Sequence, residues 1–132
     1  MKNSLRIGQS LSSTQTIVFH FLRVIIILGM LGGGITQVLG IDYQIDQFTR
    51  LGYPLYLMSI IGTAKILAAL VLILHRWPLL TVGAYVGIFI VCLCAFLSHL
   101  VSDDGVVVNP LILLGITISC CMLDPTIRFL KD

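Results

Sequence analysis

The sequence predicts an all-α integral membrane protein, a four-helix bundle running up and down across the bilayer. Composition is the first observation behind this: 58% of the 132 residues are hydrophobic and only 11% are charged. A soluble domain is nearer half apolar and a quarter charged, and a mean hydropathy of +1.06 leaves too little polar surface to cover this chain in water. The second is that four apolar segments approach the ~20 residues needed to cross a ~30 Å hydrocarbon core. The third is that none of them shows the alternating polarity of barrel strands. Helices, which satisfy their backbones internally, are therefore the spans.

The polar start, residues 1–16, reads "MKNSLRIGQSLSSTQT" and is assigned to a tail preceding the helical domain of residues 17–132. Lys2 and Arg6 followed by an apolar run superficially resemble a signal peptide. The run is too long and no A-x-A-like site follows it, so it is read as an uncleaved first span. That span covers residues 17–39, "IVFHFLRVIIILGMLGGGITQVL". Residues 40–53 form the only long loop. The second span, 54–74, closes on "HRWP"; the third, 79–101, on "SDDG"; the fourth, 106–123, on "DP". Connections of a few residues force antiparallel hairpins at the last two junctions.

Lys2, Arg6, Arg76, Arg128 and Lys131 fall on one side of this arrangement. Arg50 stands on the other with Asp42, Asp46, Asp103 and Asp104. The excess of cations on cytoplasmic loops then places both termini in the cytoplasm. The expected location is a plasma membrane, the inner membrane in a bacterium, crossed several times. Trp77 and Tyr53 fall at the interfaces, where aromatic anchors collect. Gly29 with Gly33, and Gly83 with Gly87, have the spacing that lets helices approach closely, within one chain or between copies of a homo-oligomer.

Several function classes drop out. A net charge of +2 offers no basic surface for nucleic acid. The four cysteines, Cys92, Cys94, Cys120 and Cys121, lack C-x-x-C spacing. The two pairs differ in depth by roughly 10–15 Å, too far for a disulfide, and read as small apolar packing residues. No metal site is expected, and nothing supplies a flavin or haem.

The polar groups inside the spans carry the functional signal. His20 and Arg23 lie near the start of the first span, where basic side chains reach headgroups by snorkelling. Lys65 does not: it lies about eleven residues into the second span, and its helical neighbours Gly62, Ala68 and Ala69 form a small-residue packing face. The second helix runs inward, so Lys65 leans back toward the outer surface. Gln37 and His99, near the outer ends of helices running the other way, lean inward. Lys65, His99 and Gln37, joined by Ser98 and Tyr53, are the candidate ligand-binding residues; no catalytic residue is assigned. No span contains Asp or Glu, so the ammonium has to be neutralised, wetted, or matched by an acceptor such as a quinone carbonyl, a lipid phosphate or an anionic substrate. Ionisable groups at such depth are usually functional.

The run from Leu51 to Leu100 resembles the DoxX-like family of small four-span membrane proteins. The matching pieces are Gly52-Tyr53-Pro54, Lys65 within "GTAKILAA", "RWPLLTVGAYVG", and Ser98-His99 at the end of the third helix. The similarity extends from about Gly33 to the fourth helix. Family members often carry a lysine near the end of the first helix; here "GGGITQVL" places Gln37 at or near it. The resemblance implies a four-helix membrane bundle and, through relatives such as a small subunit of thiosulfate–quinone oxidoreductase, a redox-associated role. The expectation is an accessory inner-membrane subunit without an intrinsic cofactor. It holds a quinone or lipid around Lys65 and works beside a membrane or peripheral redox protein; any enzymatic role would be as part of a quinone-linked oxidoreductase. The alternative is a non-enzymatic assembly protein that stabilises another membrane complex.

Overall fold

In a computed structural model that describes residues 11–103, 105 and 107–130, the chain is helical throughout, with no strand among the described residues. Helix α1 spans Ser13–Val38. It starts earlier than the apolar run because Ser12 and Gln15 form a capping box: Gln15 N–H donates to Ser12 Oγ at 3.2 Å and Ser12 N–H to Gln15 Oε1 at 3.1 Å. Those bonds satisfy two orphan donors at the helix start.

Residues 40–53, expected as a loop, contain helix α2, Asp42–Arg50. Its first turn carries Asp42 and its last Arg50, each placed favourably for the helix dipole, and Arg50 pairs with Asp46 at 2.9 Å on the exposed face. Phe48 is buried on the other face. Nine residues, about two and a half turns at 3.6 per turn, make an amphipathic helix too short and too polar for window hydropathy to register.

Helix α3, Leu55–Leu74, follows Pro54 and stops at His75, whose φ of +46° is left-handed. Helix α4, Pro78–Ser102, begins with proline at its first position, where the missing N–H costs nothing. Helix α5, Val108–Leu123, has 16 residues, and α6 is the short Pro125–Phe129 capped by Asp124. Helices α1, α3 and α4 are long and apolar enough to cross a membrane. At about 1.5 Å per residue α5 reaches only ~24 Å, and it is apolar but shorter than a full span. Lys2, Arg6, Asp104 and Lys131, four of the charges behind the expected orientation, lie outside the described residues.

Helix α1 packs against α3 and α5, and α4 packs against the same two helices. Among the described residues α1 does not pack against α4, nor α3 against α5. The core between them includes Phe19, Ile26, Met30, Leu72, Tyr85, Ile88 and Cys120. Large apolar side chains such as Ile17, Phe21, Leu28, Leu79 and Ile112 face outward, an arrangement water would not tolerate at this extent and lipid requires.

The closest approach is the antiparallel crossing of α1 and α3 at Gly34 and Gly62, both buried. A Cβ on Gly34 would stand 2.8 Å from Gly62 O, and one on Gly62 2.8 Å from Gly34 O. Backbone meets backbone there. The glycine pairs singled out by spacing do not make this contact. Gly83 and Gly87 face open space, and Gly33 lies beside Lys65. Of the run of three glycines, 32–34, it is Gly34 that meets α3 within the chain.

Arg23 also has protein partners that the sequence did not show: its Nε donates to Leu72 O at 3.0 Å and one terminal nitrogen donates to Leu72 O and, at 3.3 Å, to Ile73 O. These are carbonyls of the last turn of α3, left without intrahelical donors, and Arg23 caps them from the neighbouring helix.

Candidate functional site

At the end of the molecule where α2 lies, the long helices enclose a cavity of about 730 Å³. All five residues singled out above, Lys65, His99, Gln37, Ser98 and Tyr53, line it. Each arrives by a simple local route. Lys65 follows Gly62 by one turn on the α3 face that crosses α1, and its stem leans back toward the start of α3. Gly33 lies alongside it: a Cβ there would stand in ordinary contact, 3.7 Å from Lys65 Nζ. Gln37 lies one turn beyond Gly34 and is buried, at 5% exposure. Ser98 and His99 come from the last turns of α4.

Tyr53 enters from the segment between α2 and α3. The left-handed Gly52 (φ +74°) turns the chain back, and Tyr53 N–H closes the turn on Phe48 O at 2.9 Å. Its ring lies 6.1 Å from that of Phe48, and Tyr53 Oη is 2.6 Å from Ser98 Oγ. Since Ser98 Oγ donates to Cys94 O at 2.8 Å, the tyrosine is the donor in this pair. One hydrogen bond thus joins the α2–α3 segment to α4 across the mouth of the cavity.

Sequence reasoning missed the contribution of α2. Tyr43, Gln44, Gln47, Phe48 and Leu51 line the same cavity, a set whose spacing falls on one face of a helix. Gln44 bridges to α1: Gln37 Nε2 donates to Gln44 Oε1 at 3.5 Å, and Gln44 Nε2 to Thr36 Oγ1 at 3.1 Å. The alternation of glutamines with Phe48 was a visible signal, too short to register beside spans of twenty residues.

The cavity's electrostatics are uneven. Among the described residues Lys65, half-buried, makes no hydrogen bond or ion pair, no aspartate lines the cavity, and Gln37 Oε1 and Gln47 Oε1 are buried acceptors without donors. Buried polar groups are normally hydrogen-bonded, so these residues leave one lysine amine and two acceptors unmatched in this wall. The rest is apolar, including Leu57, Ile61, Ile90, Val91 and Ala95. Concave apolar walls with a few convergent polar groups are the usual form of a small-molecule site.

Lys65 and Val91 also border a smaller cavity of about 270 Å³ between α3 and α4. Its lining includes Ala64, Ala68, Gly83 and Gly87. All four cysteines are free thiols. Cys94 faces the large cavity, and Cys120, buried, lies 3.3 Å from Tyr85 Oη.

A second polar cluster, also missed, lies at the far end of the helices. Asp124, read from sequence only as a span-closing residue, is fully buried. It accepts from Tyr85 Oη at 2.9 Å and Thr126 N–H at 2.8 Å, and lies 3.4 Å from His75 Nε2.

Compared with known proteins, the chain matches the DoxX-like family model over residues 21–120. No curated protein and no solved structure matches it.

Proposed function

The chain belongs to the DoxX-like family of membrane proteins, and from that premise we propose that it holds a quinone or a lipid in the cavity around Lys65, as an accessory subunit beside a separate redox protein. In this reading all four apolar helices cross the inner membrane of a bacterium, up and down. Both termini are cytoplasmic and α2 lies on the outer surface. Arg76 and Arg128, on the side opposite Asp42, Asp46 and Asp103, agree with that orientation.

The observation that carries the reading is the unpartnered Lys65 in an apolar cavity of about 730 Å³. An ammonium at that depth is costly unless something accepts its protons. A ring carbonyl or a lipid ester oxygen would do so while its apolar body fills the walls. The roles then follow from position. Lys65 donates to the ligand oxygen, Gln37 and Gln47 accept from any hydroxyl it carries, and Tyr53 with Ser98 holds the mouth. His99, near the end of α4, can pass a proton between ligand and surface.

The test is to purify the protein in mild detergent, extract it with organic solvent and identify co-purifying molecules by mass spectrometry. A quinone or lipid enriched over the bulk membrane extract is expected, and Lys65→Met should lose it at unchanged fold. No enrichment in the wild type, or the same enrichment in Lys65→Met, overturns the reading.

A second reading, a non-enzymatic assembly protein, is favoured by Gly83 and Gly87, where an added side chain would meet nothing within 4 Å. Such a face can take a helix of another chain. Crosslinking in membranes would then yield a defined partner or homo-oligomer that Gly83→Leu abolishes; retention of the complex in that variant refutes it.

A further inference from the structure

The polar cluster at the far end of the helices is built around a cavity of its own, about 340 Å³ in volume. Its lining includes Thr16, Phe19, His20 and Arg23 of α1, with His75 and Pro125. We propose that this cavity binds a phosphate oxyanion, either the headgroup phosphate of an anionic lipid or a soluble phosphate.

Preorganisation is the main argument. Arg23 is fixed from behind by the Leu72 and Ile73 carbonyls and lies over the Phe19 ring, 6.0 Å from its centroid. Those bonds use Nε and one terminal nitrogen. The other terminal nitrogen has no partner among the described residues, so the guanidinium keeps N–H groups for an oxyanion. His75 is held in the same way, by Thr126 Oγ1 at 2.6 Å and Asp124 Oδ1 at 3.4 Å on its Nε2, with Phe19 against its ring at 6.2 Å. His20, exposed, sets its ring at a tilt beside that of Phe19, 5.2 Å between centroids.

Charge supplies the second argument. Among the described residues the one acid nearby, Asp124, is fully buried and already accepts from Tyr85 and Thr126. It does not line the cavity, and no other acid among the described residues does. An approaching ligand therefore meets the Arg23 guanidinium and the exposed His20 imidazole, with the Asp124 carboxylate set behind His75.

Location favours the lipid source. Ile17, Phe21 and Val24, all exposed, stand one position along from Thr16, His20 and Arg23. A stripe suited to acyl chains thus runs beside a stripe suited to a headgroup. Basic pockets between helices at a membrane interface are where anionic headgroups bind.

The test uses the full chain reconstituted in phosphatidylcholine vesicles with and without phosphatidylglycerol, and in lipid-free detergent with inorganic phosphate. Retained lipid is read by native mass spectrometry. Phosphatidylglycerol retained over phosphatidylcholine by on the order of ten-fold, the equivalent of one good charge-assisted contact, supports the site and assigns it to lipid. Stabilisation by inorganic phosphate in lipid-free detergent, with loss of the phosphatidylglycerol preference when phosphate is added to the vesicles, supports the site and assigns it to a soluble oxyanion. His20→Gln and Arg23→Lys should each reduce the preference several-fold. Arg23 also caps α3, so His20→Gln, on an exposed side chain, keeps the test valid where Arg23→Lys folds poorly. Equal retention of both lipids with no phosphate effect overturns the proposal, as does an undiminished preference in a folded His20→Gln, Arg23→Lys double variant.

Discussion

Adding one methyl group at Gly62 tests whether the α1–α3 crossing organises the molecule. In Gly62→Ala the new Cβ would stand 2.8 Å from Gly34 O, 2.9 Å from Gln37 Cβ and 3.1 Å from Val38 Cγ2. The first two obstacles are a backbone oxygen and the root of a buried side chain, so neither can rotate away. Reaching the 3.4 Å of ordinary contact requires the helices to part by about 0.6 Å, and a gap of that size forfeits roughly a quarter to a half of each dispersion contact it opens. Overpacking of this kind costs about 1–3 kcal/mol, or a factor of roughly 5 to 150 in the folding equilibrium at ~1.4 kcal/mol per decade. Gly87→Ala is the matched control: it adds the same methyl to a helix where nothing lies within 4 Å, and surface changes of that kind stay within about 0.5 kcal/mol. The chain has one tryptophan, Trp77, whose fluorescence can follow unfolding in mixed micelles as denaturing detergent is raised. The midpoint should fall clearly for Gly62→Ala and Gly34→Ala and stay in place for Gly87→Ala. Equal midpoints for all three would refute the argument that this crossing, rather than the regularly spaced glycines, is the close contact.

Two further predictions concern the ends of the molecule. Removing the Tyr53–Ser98 bond at the cavity mouth, by Tyr53→Phe or Ser98→Ala, should cost about 0.5–1.5 kcal/mol and speed ligand release; a double-mutant cycle in the same unfolding assay should show coupling of that order, and strict additivity would mean that the bond contributes nothing. At the other end, burial holds His75 below its ordinary 6.5, Asp124 opposes that shift, and Arg23 and His20 reinforce it. The unfolded chain therefore binds more protons than the folded one. Stability should fall as pH drops through 6.5, level off once the folded His75 is itself protonated, and lose this slope in His75→Gln.

Lys65 and its small-residue face were legible because they depend only on composition and helical periodicity. The convergence of Gln37 and His99 on it was legible because chain direction decides where a side chain leans. What escaped notice depended on partners distant in sequence. Arg23 is a plain end-of-span cation until the last carbonyls of α3, 49 residues away, come beside it. Asp124 reads as a helix stop in "DP", yet its burial follows from Tyr85 arriving from α4. Helix α2 failed for the opposite reason: its signal is entirely local, but nine residues are swamped by the apolar runs on either side.

The crossing of α1 and α3 also acts as a ruler. Gln37 and Lys65 each lie three residues beyond their glycine, but the helices are antiparallel, so the two are displaced in opposite directions from the point of contact. A Cβ on Gly62 would stand 2.9 Å from Gln37 Cβ and one on Gly34 3.2 Å from Lys65 Cβ, so each side chain roots beside the other helix's glycine and the axial offset between the two follows from that pairing. Side-chain packing can adjust many distances in a protein, but this one is set by helix pitch and by a contact that leaves no slack. If the cavity holds a ligand as proposed, that offset gauges whatever spans the acceptor and the amine, and rearrangements of the surrounding walls leave the gauge in place.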